Sequence, residues 1–350
     1  MAVTIYDVAR SAGLSIKTVS RVMNGLPVSA ASRARVKVAA AELNYHPSLQ
    51  ARTLAGGRSA LIVVLCDAGL TIEHWNSQGG ANYLPQVQLG ATLSGREAGY
   101  YVLFELIGQE SPQLKQDITT LLSTLKPAGV VLTPPSSDNP TVLQTLDDSG
   151  VPYVRLEPES QWAGGMSMLL DNEGAAERMT RYLIGLGHRR IGFVMGDPRH
   201  GTSHARLRGY QAGLRSLGVR SEQRWIAPAA YTFESGYEAG QQLLALDEGI
   251  SAIFASSDLM ARGVIAAAQD AGLSVPQDLS VAGFDDAPCA RAQRPALTTI
   301  RQPLTELAAE AVRWVVAPEQ AGDCKQSFGF FQLIERDSTA GLWSASRARA

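Results

Sequence analysis

The sequence predicts a small all-α head at the N-terminus, followed by a larger α/β body built on parallel sheets. Short helical segments fill about the first 45 residues, and from residue 60 onward Val- and Ile-rich runs alternate with helical stretches. The chain has 350 residues, more than one hydrophobic core usually holds. With 45% apolar and 18% charged residues, it has enough material for buried cores, which excludes an intrinsically disordered protein.

The head is predicted to contain three short helices. Thr4 and Asp7 have the spacing of a capping box with Asp in place of Glu, and Gly13 ends this first helix. Ser15 begins the second helix, and a third runs from about residue 29 or 31 to residue 43. Two short helices joined by a glycine turn are typical of a helix-turn-helix, although such a pair often does no more than pack.

Charge is distributed unevenly between the head and the rest of the chain. Residues 1–58 carry eight basic and two acidic side chains, a net charge of +6. The remaining residues carry 23 basic and 31 acidic side chains, a net charge of −8. This division is typical of a protein that binds a polyanion through one end. A solvated basic surface is the alternative that charge alone leaves open.

The body shows the alternation of buried strands and crossover helices that predicts parallel sheets. It is long enough for two such sheets, and the late segments 298–303 and 327–334 are candidates to return to either one. The predicted strands are 60–66, 100–106, 128–132, 152–156, 190–195, 250–255 and 279–284. The predicted helices are 112–125, 172–187, 203–218, 234–247 and 257–272.

Polar side chains at the carboxyl ends of these strands indicate a ligand site, because parallel α/β sheets bind ligands at that edge. They include Thr133, Glu157 and Asp285. A polyol needs several charged hydrogen-bond partners, which carboxylates and Arg206 on the 203–218 helix supply. Tyr231 offers an aromatic face for the C–H side of such a ligand.

The exposed start of the second head helix carries side chains suited to DNA bases. Arg and Lys reach guanine O6 and N7, and an apolar Ile can contact a thymine methyl group. The candidates there are Ile16, Lys17, Thr18 and Arg21. Short polar groups suited to phosphates are Thr4, Ser15, Ser20 and Asn24.

The stretches TIYDVARSAGLSIKTVSRVMNG (4–25) and VSAASRARVKVAAAELNYHPSLQARTLAGGRS (28–59) resemble the head and hinge of the lactose-repressor/galactose-repressor (LacI/GalR) family. Body stretches that match in order include DNEGAAERMTRYLIGLGHRRIGFVMG, TSHARLRGY, SSDLMARG and VPQDLSVAGFDD. The resemblance spans roughly residues 4–336. It implies a helix-turn-helix head and a two-lobed body like that of periplasmic binding proteins.

The resemblance implies that Ile16, Lys17 and Arg21 read bases. It also implies a hinge helix over Ser48–Leu54 that forms on operator binding, with Leu54 as a wedge in the minor groove. The full set of expected DNA contacts is Thr4, Tyr6, Ser15, Ile16, Lys17, Thr18, Ser20, Arg21, Asn24, Ala51 and Leu54.

Effector contacts follow from the same resemblance, with Arg206 as the firmest because it occupies an S/T-x-x-x-R-x-x-G frame. The segment 67–85 departs from the family pattern of a short Asn-Pro-aromatic loop, so Tyr83 or Trp75 becomes a candidate wall of the pocket. The expected effector contacts are Thr202, Arg206, Tyr231, Ser257 or Asp258, and Asp285, with Tyr83, Thr133, Glu157 and Gln302 as further candidates.

These observations predict a homodimeric, cytoplasmic, ligand-responsive regulator, most simply a repressor released from a pseudo-palindromic operator by a sugar. A co-repressor-dependent member that senses a nucleobase is the alternative. The expected domains are a helix-turn-helix over 1–47, a hinge over 48–59 and a body over 60–345. The body's lobes are expected at 60–160 with 290–325, and at 161–289 with 326–345.

Two other functions are disfavoured by the sequence. A sugar-transport protein of the same fold predicts a signal peptide and no basic head, and the chain shows the reverse pattern. A hydrolase needs a nucleophile or a carboxylate pair at a defined spacing, and none is recognisable. The pair His200 and His204 lacks a third metal ligand, and the three cysteines form no CxxC. We therefore expect no cofactor, metal or membrane partner.

Overall fold

The computed structural model describes residues 3–23, 27–45, 59–76, 83–318, 325–328 and 330–342. The predicted contacts Asn24, Ala51 and Leu54, and the predicted hinge helix, lie outside these residues. None of the described helices combines the length and the apolar character needed to cross a bilayer.

Three helices make up the head: α1 (Ile5–Ala12), α2 (Ile16–Met23) and α3 (Ala30–Glu42). Each contributes to one small core, in which Val8, Val19 and Val36 are fully buried. The Asp7 carboxylate accepts hydrogen bonds from the backbone N–H and the hydroxyl of Thr4, which confirms the predicted capping box. Arg35 of α3 donates to the Ala12 carbonyl at 2.6 Å and so attaches α3 to the turn between the first two helices.

Strands and helices alternate through the body. The strands are β1 (Leu61–Asp67), β2 (Tyr101–Ile107), β3 (Gly129–Leu132), β4 (Tyr153–Leu156), β5 (Met166–Leu170), β6 (Ile191–Met195), β7 (Ile226–Pro228), β8 (Ala252–Ala255), β9 (Ser280–Ala282), β10 (Thr299–Arg301), β11 (Lys325–Phe328) and β12 (Gln332–Ile334). The helices are α4 (Ala68–Asn76), α5 (Tyr83–Glu97), α6 (Leu114–Leu125), α7 (Pro140–Ser149), α8 (Asn172–Gly185), α9 (Gly201–Ser216), α10 (Phe233–Leu244), α11 (Asp258–Asp270), α12 (Pro288–Ala292) and α13 (Leu304–Val316).

The first lobe is a six-stranded parallel sheet with the order β11-β5-β4-β3-β1-β2. Successive residues of β1 enter different cores, because side chains alternate across a strand. Ile62 and Val64 pack under α5 and α13, whereas Val63 and Leu65 pack under α6 and α7. Both faces of the sheet are therefore covered, as the unbroken apolar run of β1 predicts.

The second lobe is a four-stranded parallel sheet with the order β7-β6-β8-β9. Helices α10 and α11 cover one face, and α8 and α9 cover the other. The antiparallel pair β10-β12 joins the α8–α9 side, where Ile300 is fully buried in the core around Phe193. The strand ends of both sheets meet the cleft between the lobes.

Two expectations about the body are corrected. The lobes do not divide at residue 161, because β5 pairs with β4 and β11 pairs with β5 in the first sheet, while β10 lies with the second lobe. The chain therefore crosses between lobes after β5, after β10 and after β11. The segment 67–85 is not a loop where it is described, since α4 fills 68–76 and α5 begins at Tyr83.

Candidate functional site

The second head helix presents its N-terminal half to solvent. Lys17 and Arg21 are exposed, and the Ile16 side chain is 41% exposed, although isoleucine usually prefers a core. Val19 on the opposite face is fully buried. The α2 surface defined by Ile16, Lys17 and Arg21 is therefore held rigidly by the core and is free to meet a partner. Tyr6 on α1 is 62% exposed.

Hydrogen bonds within the head engage several of the other predicted DNA contacts. The Ser15 hydroxyl accepts from the Thr18 backbone N–H at 3.1 Å and lies 2.9 Å from the Thr18 hydroxyl, which caps the start of α2. Arg21 donates to the Pro27 carbonyl at 3.0 Å. Ser20 is half-buried. Thr4 and Ser15 thus cap helices, so any phosphate contact they make competes with a local bond.

A cavity of about 320 Å³ lies between the lobes at the carboxyl ends of β3 and β4. Of the predicted effector contacts, Glu157 and Thr202 line it from opposite lobes. The other lining residues are Pro134, Pro135, Asp138, Glu159, Ser160, Arg199, His200 and Gly201. Its volume lies at the lower end of the range for small-molecule sites.

Arg206 forms the centre of a buried polar cluster beside this cavity. Its Nε donates to the Asn172 side chain at 2.9 Å, and its Nη1 donates to the Ser256 carbonyl at 2.6 Å and lies 3.8 Å from the Asp285 carboxylate. The guanidinium stacks over the Phe284 ring, 3.8 Å from the centroid. The cation is thus held in a fixed plane by four neighbours.

The cluster continues from Arg206 into the first lobe and toward β10. Asn172 donates its amide to the Glu157 carboxylate at 2.8 Å, so one residue joins the Arg206 side chain to the first lobe. Gln302 donates to Asp285 at 2.7 Å. Asn172 and Gln302 stand at two of the three crossings between lobes, so the cluster lies where the lobes are joined.

Burial raises the pKa values of three carboxyl groups in the cluster. It raises the pKa of Asp285 to about 6, although the Arg206 guanidinium opposes the shift. It also raises the pKa of Glu157, again against Arg206 and the Asn172 amide. The pKa of Asp258 is raised well above its usual range by burial and by the neighbouring Asp285. The site therefore holds more carboxyl groups than one arginine compensates.

Three polar atoms around the cluster have no hydrogen-bond partner among the described residues. They are the hydroxyl of Tyr83, which lies close to Glu157, the hydroxyl of Ser256, and the amide oxygen of Gln302. A buried polar group without a partner costs roughly 1–3 kcal/mol. A ligand with several hydroxyl groups can satisfy such atoms, so these orphan groups indicate a binding site.

Backbone strain is concentrated at the same strand ends. Glu157, Tyr231, Asp285 and Asp286 all have positive φ angles, of 48°, 62°, 115° and 51°. Such angles are uncommon for residues other than glycine, and they occur most often at functional sites. Two of these residues, Glu157 and Asp285, belong to the polar cluster around Arg206.

Tyr231 lies against the N-terminal turn of α9. Its hydroxyl is 2.6 Å from the Ser203 hydroxyl and 3.4 Å from that of Thr202, and its ring meets His200 edge to face. Predicted contacts Tyr231 and Thr202 are thus neighbours at the second-lobe wall. His204 bonds the Pro198 carbonyl, and the described residues form no group of three or more potential metal ligands.

Three other predicted contacts are occupied by bonds within the protein. Ser257 caps α11 by accepting from the Met260 N–H, and Thr133 donates to the Leu65 carbonyl. The fully buried Asp258 accepts from the Thr299 hydroxyl at 2.5 Å and from the Ala287 N–H at 2.7 Å. Their roles toward an effector stay predictions.

Sequence reasoning missed Asn172 and the place of Glu159, Arg199 and His200 in the cavity wall. Asn172 follows Asp171 at the start of a quoted family landmark, which is the one signal that could have found it. Glu159 carries no local pattern, because its place in the cavity depends on the fold of the other lobe. Contacts between distant segments cannot be predicted from the hydrophobic periodicity of the sequence.

Comparison with known proteins agrees with these features. The model for the lacI family of bacterial regulatory proteins matches residues 4–48, and that for a periplasmic binding protein-like domain matches residues 180–339. The chain is 33% identical to the HTH-type transcriptional repressor CytR of Escherichia coli (strain K12) over 352 residues, which cover 97% of each chain.

Solved structures extend the likeness to the whole fold. The lac repressor dimer bound to operator and the anti-inducer ONPF matches with a TM-score of 0.77 at 27% identity, covering 97% of this chain and 100% of that one. A complex of the transcriptional regulator CelR with cellobiose matches with a TM-score of 0.71 at 28% identity, covering 96% and 99%. With its helix-turn-helix head and two-lobed parallel α/β body, the chain belongs to the LacI family of bacterial transcription regulators.

Proposed function

We propose that the protein is a homodimeric repressor that binds a pseudo-palindromic operator through α2 and releases it when a carbohydrate occupies the interlobe cavity. One observation carries the proposal. A continuous set of hydrogen bonds from Glu157 through Asn172 to Arg206 joins the two lobes beside that cavity. A ligand that enters the cavity must change bonds on both lobes at once.

The head supports the DNA-binding part. The α2 surface offers two cationic side chains and one exposed apolar side chain on a helix, and the major groove is wide enough to admit a helix. Arg21 is bonded to the Pro27 carbonyl in the protein alone, so reading a guanine requires exchange of that bond for two to the base edge. Net positive charge on the head adds attraction for phosphates.

The cavity supports a carbohydrate as the effector. Its wall combines apolar surface with polar side chains such as Asp138, Glu157 and Thr202, which can pair with the hydroxyl groups of a sugar. The volume of about 320 Å³ suits a molecule of the size of a mono- or disaccharide. The structural relative CelR is described with cellobiose bound.

An exposed apolar patch on the first lobe supports a dimer. Leu89 and Leu93 stand one turn apart on α5 and are 53% and 52% exposed, and Tyr101 on the edge strand β2 is 65% exposed. Grouped exposed apolar side chains mark interaction sites. We assign this patch to a second copy of the chain, as in the dimeric lac repressor to which it is similar.

The test begins with selection of tight-binding duplexes from a random pool by the full-length chain. The selected duplex is then titrated by fluorescence anisotropy with and without mono- and disaccharides and, separately, nucleobases. Release by one sugar is expected. Tightening by a nucleobase would instead establish the co-repressor alternative, and selection of no preferred sequence would overturn the assignment.

A matched variant tests the role of the cavity. Arg206→Lys keeps the charge but loses the forked geometry, so we expect unchanged operator affinity and an effector concentration for half release at least about tenfold higher. Arg208→Lys, on the exposed side of the same helix, is the control. If Arg206→Lys released the operator at the same effector concentration as the unmodified protein, the cluster would have no part in the effector response.

A further inference from the structure

We propose that Glu159 sets the charge selectivity of the interlobe cavity, admitting uncharged or cationic effectors and rejecting phosphorylated and carboxylated ones. The inference rests on the proposed function only in taking this cavity as the effector site. It adds the class of ligand that the site accepts.

Glu159 extends from the first lobe to the second. It follows β4 and lines the cavity, and its side chain lies directly against Gly201, the first residue of α9. A Cβ placed on Gly201 would overlap the Glu159 side chain. The glycine therefore leaves the space that lets the carboxylate cross the cleft and reach the opposite wall.

The backbone that carries Glu159 is held firmly. The Asp138 carboxylate accepts from the backbone N–H of Glu159 at 2.9 Å and from that of Ser160 at 2.8 Å. Asp138 is in turn held by Arg155 at 3.0 Å, and Arg155 is fully buried. Arg155 also donates to the Ser160 carbonyl at 3.1 Å. The position of the carboxylate is thus preorganised.

Two other charged residues on the cavity wall, Asp138 and Arg199, are each paired with an opposite charge. Arg155 neutralises Asp138, and Asp197 neutralises Arg199 at 2.6 Å. Among the described residues, Glu159 has neither an ion pair nor a side-chain hydrogen bond. Its carboxylate is therefore available to an effector, and carboxylates accept bonds from hydroxyl or ammonium groups while repelling other anions.

The wall opposite Glu159 would otherwise attract an anion. The N-terminus of α9 carries a partial positive charge, and the side chain of the N-cap residue His200 makes no cap hydrogen bond there. Glu159 occupies this end of the helix with its own carboxylate. Without that charge, the α9 terminus would face the cavity with its partial positive charge, and the preference of the cavity would turn toward anions.

The test is a titration of the full-length chain with inorganic phosphate at low ionic strength, followed by calorimetry. Glu159→Gln is expected to bind phosphate at least about tenfold more tightly than the unmodified protein. Glu306→Gln removes an exposed carboxylate from the first turn of another helix, α13, away from the cavity, and should behave as the unmodified protein. Equal affinity in all three proteins, or no binding in any, would overturn the proposal.

Amide resonances locate the phosphate. In ¹H–¹⁵N spectra of Glu159→Gln, phosphate should shift the signals of Gly201 and Thr202, and binding that leaves them unmoved would also contradict the proposal. The titration uses neither DNA nor the natural effector. Failure of operator binding would therefore overturn the proposed function without changing this result, and the reverse holds equally.

Discussion

The head and the polar cluster beside the interlobe cavity place the side chains that we propose to bind DNA and effector in opposite environments. Lys17 and Arg21 are exposed on a helix whose other face is packed, and within the described part of the chain Arg21 makes one hydrogen bond, to the Pro27 carbonyl. Arg206 is buried and bonded to side chains and backbone from three segments of the chain. An exposed arginine can change partners at little cost, whereas a buried one is also part of the stability of the body.

A second contrast lies within the cavity region, between two adjacent aspartates. Asp285 shares one arginine with several carboxyl groups, so burial dominates and its pKa rises to about 6. The Asp286 side chain is more deeply buried than that of Asp285, but it is surrounded by Arg291, Arg301 and Arg336, which hold its pKa below the usual value. Neighbouring residues of one type therefore have opposite effects on stability.

The largest effect is expected from Arg206→Ala. It leaves buried carboxyl groups without their cation, which costs about 4 kcal/mol in the free energy of unfolding. Arg208→Ala, which removes an exposed pair with Glu173, should cost at most about 1 kcal/mol. Urea unfolding of both variants measures the difference. Equal losses would show that burial does not distinguish the two arginines.

The next largest effect on the free energy of unfolding is expected from the adjacent aspartates Asp285 and Asp286. Asp286→Asn removes a charge bonded to three arginines, and we expect a loss of about 3 kcal/mol at pH 7. Because the folded pKa of Asp286 is lowered, the stability it supplies is present above about pH 4 and disappears as the pH falls below that value.

Asp285→Asn is expected to change the pH dependence of the free energy of unfolding in the opposite direction to Asp286→Asn. Its folded pKa of about 6 lies above the unfolded value of 3.8, so the folded state binds more protons between these values and loses stability as the pH rises from about 4 to 6. The substitution should remove that loss. Melting temperatures of both asparagine variants between pH 4 and 8 test the pair, and parallel profiles would refute the contrast.

Arg21→Ala is expected to weaken discrimination between operator and scrambled DNA by about 2 kcal/mol, the usual value of one bidentate base contact. Its exposure predicts little change in the stability of the head. Arg33→Ala, an exposed cation on α3, should lower affinity for both duplexes alike. Anisotropy titrations measure the ratio of affinities, and an unchanged ratio in Arg21→Ala would count against base reading by this residue.

The smallest effect is expected from Ser29→Ala, which removes the cap that accepts from the Ser32 N–H at the start of α3. We expect a loss of about 1 kcal/mol in the stability of the head. Thermal unfolding followed by circular dichroism checks it. Ser11→Ala, exposed within α1, is the control and should have a smaller effect.

Local patterns predicted most of the fold. The capping pair Thr4 and Asp7 marked the start of α1, and the apolar run of β1 indicated a strand covered on both sides. β5, with the sequence MSMLL, was missed because methionine and leucine are not typical of strands. The lobe division was misplaced because ladder pairing between distant segments, such as β5 and β11, has no local signal.

Part of the candidate site was predictable from the sequence. Glu157 and Asp285 were found because polar residue types coincide with strand ends, and Arg206 was found on a predicted helix and from the family resemblance. The structure brings the three together around Asn172. The partners that fix their geometry come from other segments. Neither the Asn172 link nor the contact of Glu159 with Gly201 can be read from spacing, since each depends on how two lobes face one another.

The three crossings between the lobes also decide how the protein can be divided. The first lobe needs residues 303–328 in addition to 59–170, because α13 and β11 complete its sheet and core. Most of the second lobe, residues 172–302, is thus inserted between the two stretches of chain that form the first lobe. No single proteolytic cut separates the two lobes from each other, because each lobe is built from two separate stretches of the chain. Isolated lobes suitable for binding studies therefore require a rearranged gene rather than a truncated one.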